Sequence, residues 1–172
     1  MSSRIPLPYS PKIIELFKHP KNLGPLEDAT IVAKAGSPAC GDMIHLYLKI
    51  EKKNGEDIIV KATFESYGCA ANIAAASILT ELVKGLSLKD AWKISWKDVA
   101  DKLGGLPPIK YHCSILAVGA LKRAIRGYYK KIGIRPEWLP DELTVDEKQA
   151  LEEEEMIEKI YGPMMKSLSE KK

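Results

Sequence analysis

Two stretches of alternating character, joined by an Asn-Gly turn, commit the early part of this chain to an antiparallel hairpin. From Met43 to Glu51, Ile44, Leu46, Leu48 and Ile50 share one side, while His45, Tyr47 and Lys49 share the other. That period of two marks a strand with one buried face. Lys53-Asn54-Gly55-Glu56 reads as the turn, because Asn and Gly accept the positive φ that a tight hairpin requires. Asp57 to Ser66 then returns with Ile58, Val60, Ala62 and Phe64 expected inward. Residues 30–35 read as a further short strand.

Helix signals surround the hairpin. Ser10-Pro11 caps and opens a short helix to about Lys18, which His19-Pro20 ends. Ala70 to Lys84 is Ala-rich with apolar periodicity, and Gly85 suits its C-terminal stop. Ser87 and Ser95 read as N-caps of two short helices. Gly104-Gly105-Leu106-Pro107-Pro108 breaks the chain into an extended segment, and a long helix follows from about Cys113 to Lys131. Arg135-Pro136-Glu137-Trp138-Leu139-Pro140 reads as a linker or docking arm. Thr144 and Glu147 form a capping box for a last helix expected to end at Gly162-Pro163. The reading is an α+β architecture: a small antiparallel sheet covered on one face by later helices.

The 172 residues suffice for one domain with an appendage. No run approaches the roughly 18 apolar residues of a membrane-spanning helix. Charge is uneven. Residues 137–160 carry ten acidic and two basic side chains, net −8, which leaves +11 on the remainder. The basic residues cluster at Lys122, Arg123, Arg126, Lys130, Lys131 and Arg135. That cluster reads either as a solvated helix end favoured by the macrodipole, or as a dock for an acidic partner or the chain's own tail. No aromatic stacking motif accompanies the basic residues, so nucleic acid is not expected as a partner. The phosphate-loop, dinucleotide and nucleophile-elbow glycine patterns are absent.

Chemistry concentrates at three cysteines, an odd number that suits a reducing compartment, read as the cytoplasm. None belongs to a C-x-x-C pair, yet each falls at a Gly- or Pro-marked junction. Cys40 sits in Pro38-Ala39-Cys40-Gly41-Asp42, Cys69 in Tyr67-Gly68-Cys69-Ala70, and Cys113 just after Tyr111-His112. A thiol at a helix N-terminus meets a positive dipole that favours thiolate, the form that binds metal and attacks sulfur. Asp42 and His112 are natural completions of such a set, which suits zinc or an iron–sulfur cluster. A buried-core role for the cysteines, a turn role for Asp42 and a cap-neighbour role for His112 are the plainer alternatives. His19 and His45 are weaker candidates, with His45 read as exposed. His112 and Cys113 are adjacent, and neighbours at a helix start usually point apart, so a base–nucleophile pair is not implied.

At these residues the chain resembles the IscU/NifU-type iron–sulfur cluster assembly scaffolds. The resemblance rests on Ala39-Cys40-Gly41-Asp42, Tyr67-Gly68-Cys69, and Leu106-Pro107-Pro108-Ile109-Lys110-Tyr111-His112-Cys113-Ser114. The opening Tyr9-Ser10-Pro11-Lys12 and His19-Pro20-Lys21-Asn22-Leu23-Gly24 also match. It implies a three-stranded antiparallel sheet covered by helices, SufE/NifU-like, over residues 1–132, with 133–172 as an acidic helical extension unlike the family's usual ending. It implies a scaffold, not an enzyme, that takes sulfur from a cysteine desulfurase, collects iron, builds a 2Fe-2S cluster and passes it to apo-proteins. Cys40, Cys69 and Cys113 would be ligands, with Asp42 or His112 at the fourth position, Cys113 the persulfide acceptor, and zinc a possible occupant without the cluster. Leu106, Pro107, Pro108, Ile109 and Lys110 resemble a chaperone-binding motif for a DnaK-like partner, and Tyr9 matches a position tied to dimer contacts. The competing readings are a zinc-bound sulfur-relay or structural protein of the same fold, and a Cys-His thiol transferase.

Overall fold

The computed structural model describes residues 9–37 and 42–170. In chain order the elements are α1 (Pro11–Lys18), β1 (Ile31–Ser37), β2 (Asp42–Lys53), β3 (Glu56–Tyr67), α2 (Ala70–Val83), α3 (Leu88–Trp92), α4 (Trp96–Lys102), a 3-10 turn (Pro108–Lys110), α5 (Tyr111–Ile132) and α6 (Val145–Ser169). The strands form one antiparallel sheet in the order β1-β2-β3, the α+β arrangement expected from the alternation.

The buried face of β2 is Ile44, Leu46, Leu48 and Ile50, as its pattern requires. On β3 one expectation needs correcting. Ala62 and Phe64 point inward, but Ile59 is the buried residue near the turn, and Ile58 and Val60 are only half-buried. The register steps between Lys49 and Ile50, so that Lys49 faces Lys61 and Ile50 faces Ile59. Val60 is the extra residue of this bulge, which reverses the parity of everything between it and the turn.

Burial of the inner face drives the rest. α5 lies across β1 and β2, α2 lies against β3, and α1 packs on α2. The caps fall where the hydroxyls predict: Ser10, Ser87, Ser95 and Thr144 each accept a backbone N–H of the first turn. Ser95–Asp98 and Thr144–Glu147 form reciprocal capping boxes. α5 starts at Tyr111, two residues before the expected start, because the 3-10 turn after Pro107 leads straight into it. Thus residues 108–110 are coiled rather than extended.

The acidic tail folds back onto the basic cluster. Lys122 pairs with Asp146 at 3.0 Å, Arg123 holds both oxygens of Glu154 at 2.7 Å, and Arg126 holds Glu147. Arg126 also donates to the carbonyls of Pro140 and Glu142, each at 2.7 Å. Before α6, Trp138 stacks edge-on against Tyr129 and packs beside Trp92, while Leu139 is buried. Residues 135–140 are therefore a docking arm, and the dock for the chain's own tail is the reading that applies to this basic cluster. α6 does not stop at Gly162-Pro163 but continues to Ser169. A proline removes one helix donor. The carbonyl it would have met, that of Lys159, belongs to an exposed residue, so one lost rung does not end the helix.

Candidate functional site

Three elements begin at one end of the sheet, and each starts with a chemically active residue. Asp42 opens β2, opposite Ser37 of β1. Cys69 is the N-cap of α2, and its extended backbone turns the chain from β3 into the helix. His112 and Cys113 lie in the first turn of α5. Gly68 makes their meeting possible: a Cβ there would lie 2.4 Å from Asp42 Oδ1 and 2.7 Å from Asn72 Nδ2. Only a residue without a side chain leaves room for the Asp42 carboxylate beside Cys69.

The four side chains form a continuous path. Cys69 N–H donates to Asp42 Oδ1 at 3.3 Å, and Asp42 Oδ2 lies 3.1 Å from His112 Nε2. His112 Nε2 is 3.5 Å from Cys113 Sγ, which is 3.6 Å from Cys69 Sγ. His112 and Cys113 do converge, contrary to the expectation that such neighbours point apart. The cause is the anchoring of the ring, whose Nδ1 lies 3.1 Å from the Ile109 carbonyl. With an acceptor facing each nitrogen, the imidazolium satisfies both. Accordingly, the Asp42 carboxylate, outweighing burial, raises the His112 pKa, and the His112 hydrogen bond lowers that of Asp42.

The two thiols divide their roles. Cys69 is half-buried, and its pKa is lowered to about 5. The Cys113 thiol donates to it, and the Asn72 backbone N–H and the Lys110 ammonium favour its charge against desolvation. Cys113 is 0% exposed and its pKa is raised, by its bond to Cys69 and by burial. At Cys69 the helix-terminal N–H of Asn72 acts in the expected direction but second to the Cys113 thiol, and at Cys113 the helix-terminus argument fails, because a thiolate already stands next door. Lys110 and Tyr9 both sit close enough to feel the two sulfurs.

Among the described residues no three such donors already converge on one ion position. The donor types nonetheless fit a thiophilic metal. A tetrahedral centre with metal–sulfur bonds of about 2.3 Å has its sulfurs about 3.8 Å apart, close to the 3.6 Å seen here. A metal held there would take the place of the protons that now link these groups. Cys40 lies outside the described residues. Of the Pro-Pro segment, Leu106 is buried at 8% exposure whereas Ile109 is 80% exposed. His19 caps the end of α1. His45 is not exposed as expected but half-buried, its ring edge-on to Tyr67 and its Nδ1 4.0 Å from Glu65.

Asn72 is a site residue that the sequence reading passed over. It is fully buried, donates to Ser66 Oγ at 2.9 Å and walls the Gly68 cradle. The available signal was an amide three residues after Cys69 in an otherwise Ala-rich helix start.

The NifU-like N terminal domain model matches residues 8–134. An iron–sulfur cluster assembly scaffold protein of Archaeoglobus fulgidus, IscU 1, is 46% identical over 125 residues, covering 73% of this chain and 79% of the relative. The IscU scaffold protein of Aquifex aeolicus is 39% identical over 156 residues, covering 90% of this chain and 97% of the relative. That second similarity reaches into the tail, beyond the family match. The nitrogen fixation protein NifU of Trichormus azollae is 45% identical over 126 residues, 41% of its own length. Among solved structures, the N-terminal NifU-like protein of Brucella abortus superposes with a TM-score of 0.53 at 19% identity, covering 71% of this chain and 94% of that one, a likeness of fold. No helix among the described residues is long and apolar enough to cross a membrane.

Proposed function

The chain belongs to the NifU-like N-terminal domain family, and from that premise we propose that it is a scaffold on which an iron–sulfur cluster is assembled and from which it is released. The observation that carries the proposal is the meeting of Asp42, Cys69, His112 and Cys113 through contacts of 3.1–3.6 Å at one end of the sheet. Residues 1–132 are read as the scaffold and 133–172 as its extension. The cargo is a 2Fe-2S cluster held by Cys40, Cys69 and Cys113, with Asp42 or His112 as fourth donor. A hard carboxylate among soft thiolates weakens the hold and favours exchange, as a carrier requires.

Sulfur arrives as the outer atom of a persulfide on a cysteine desulfurase. A thiolate of this chain attacks that atom, forming a new S–S bond, and the desulfurase sulfur leaves as thiolate. Cys113 serves as acceptor once its proton passes to Cys69, 3.6 Å away. Lys110 and His112 stabilise the negative charge that accumulates. Exposed Ile109, next to the Pro-Pro pair, supplies a docking residue for a DnaK-like chaperone, and recipient apo-proteins take the cluster. We place these events in the cytoplasm, with a dimer involving Tyr9 as the assembled form.

The test is oxygen-free reconstitution with ferrous iron, cysteine and a cysteine desulfurase. A visible-absorbing, chelator-labile cluster is expected in the native chain and lost in Cys40→Ala, Cys69→Ala and Cys113→Ala. Tight zinc with no cluster under any condition refutes the scaffold reading in favour of a zinc-thiolate protein; thiol transfer turnover without metal refutes it in favour of an enzyme.

A further inference from the structure

Among the described residues β1 is an edge strand, with β2 on one side and no strand on the other. Outward-facing peptide groups on such a strand need partners. Here they find them in two side chains from outside the sheet. Gly36 N–H donates to Glu154 Oε1 at 2.7 Å, and the Lys34 carbonyl accepts from Arg123 at 3.0 Å. Arg123 and Glu154 are themselves joined by two bonds of 2.7 Å. The pair therefore offers one acceptor and one donor to residues two apart on the strand, as a neighbouring strand would.

The position of this contact gives it a consequence. Gly36 faces Met43 and Ser37 faces Asp42 across the sheet. Gly36 has φ +102°, and a Cβ on it would fall 2.0 Å from the Asp42 carbonyl oxygen, so the backbones of Gly36 and Asp42 are in direct contact. Asp42 in turn holds the Cys69 amide and the His112 ring. By sequence, residues 38–41, including Cys40, connect the two strands.

We propose that Glu154 of the C-terminal extension is a positioning residue for the cluster site: through Arg123 and the Gly36 amide it fixes the end of β1 against Asp42 and thereby sets how long the site retains its cargo. The inference rests on the scaffold reading above. It assigns the extension a part in function, because Glu154 lies beyond the residues of the family match.

Full-length native chain is compared with Glu154→Ala, Glu154→Gln and Asp146→Asn, the last removing a tail contact remote from Gly36. Two readouts are taken: amide exchange at Gly36 in the metal-free protein by NMR, and the half-life of the reconstituted cluster against EDTA. Loss of a hydrogen bond to a charged acceptor predicts Gly36 exchange about tenfold faster in Glu154→Ala, with cluster half-life shortened severalfold. Glu154→Gln, which keeps an acceptor, falls between, and Asp146→Asn stays near native in both. Unchanged Gly36 exchange, an unchanged half-life, or equal effects from Asp146→Asn overturns the proposal. A native chain that accepts no cluster refutes the scaffold reading instead, whatever the variants do.

Discussion

Gly119, in the middle of α5, faces Ala150 of the extension. A Cβ built there lies 2.5 Å from the Cβ of Ala150 on α6, against an ordinary carbon–carbon contact of about 3.5–4.0 Å. In Gly119→Ala the helices must therefore part by about 1 Å or more, at an overpacking cost of about 1–3 kcal/mol. Replacing a mid-helix glycine returns about 0.8–1 kcal/mol of propensity, so the net effect is about 0–2 kcal/mol of lost docking. Ala150→Gly alone loses that propensity, about 0.8–1 kcal/mol, and one buried methyl, about 0.8 kcal/mol. The double variant moves the methyl from one helix to the other and keeps the contact, so its net change is close to zero. The two substitutions should thus couple by about 1.5–4 kcal/mol. Native-state hydrogen exchange of α6 amides in the four proteins measures this directly, since α6 opens with its own free energy. Coupling below about 0.5 kcal/mol would refute the claim that this contact sets the distance between the helices.

Three further outcomes are expected. With its pKa near 5, Cys69 in the metal-free chain should be alkylated by iodoacetamide at a rate already level by neutral pH, and Cys69→Ser should abolish the fast phase; a midpoint near an ordinary thiol value of about 8.5 would contradict the assignment. Phe64→Ala empties a fully buried position on the inner face and should cost about 3–5 kcal/mol in urea unfolding, while a loss under about 1 kcal/mol would show that the sheet–helix core is not packed as described. For Glu147, burial opposes the charge, but Arg126 and Thr144 hold the carboxyl below its usual 4.5. Its folded value is depressed, so its contribution is complete above pH 4.5 and fades as acid approaches the folded value. Urea midpoints between about pH 3 and pH 6 should therefore flatten in Glu147→Gln relative to the native chain, and parallel curves would rule this out.

What could be read beforehand was what local chemistry fixes. The alternation of Ile44, Leu46, Leu48 and Ile50, and the hydroxyl caps at Ser10, Ser87, Ser95 and Thr144, depend on neighbours a few residues away. Cys69 at its strand–helix junction belongs to the same class. What escaped depends on contacts distant in the chain. The bulge at Val60 follows from pairing with Lys49 and Ile50, and no local signal marks it. The turn of His112 toward Cys113 is fixed at both ring nitrogens, by the nearby Ile109 carbonyl and by Asp42, seventy residues away in sequence, and the second of these has no local signal. The burial and protonated state of Cys113 require knowing that Cys69 stands beside it. The basic cluster at Lys122, Arg123 and Arg126 invited an acidic partner, but only the fold reveals the partner residues as Asp146, Glu147 and Glu154.

The bond between Glu154 and Gly36 also bears on what a damaged copy of this protein would do. Cleavage between residues 134 and 144 releases the tail; the amide of Gly36 then loses its acceptor Glu154, and Arg123, which serves the Lys34 carbonyl from α5, loses the carboxylate that holds it in place. A bare strand rim of that kind recruits whatever extended backbone it meets, and in a concentrated solution that is another copy of the same molecule. Clipped protein is thus expected to precipitate before it unfolds, with turbidity rising while the helical signal of the remaining body persists.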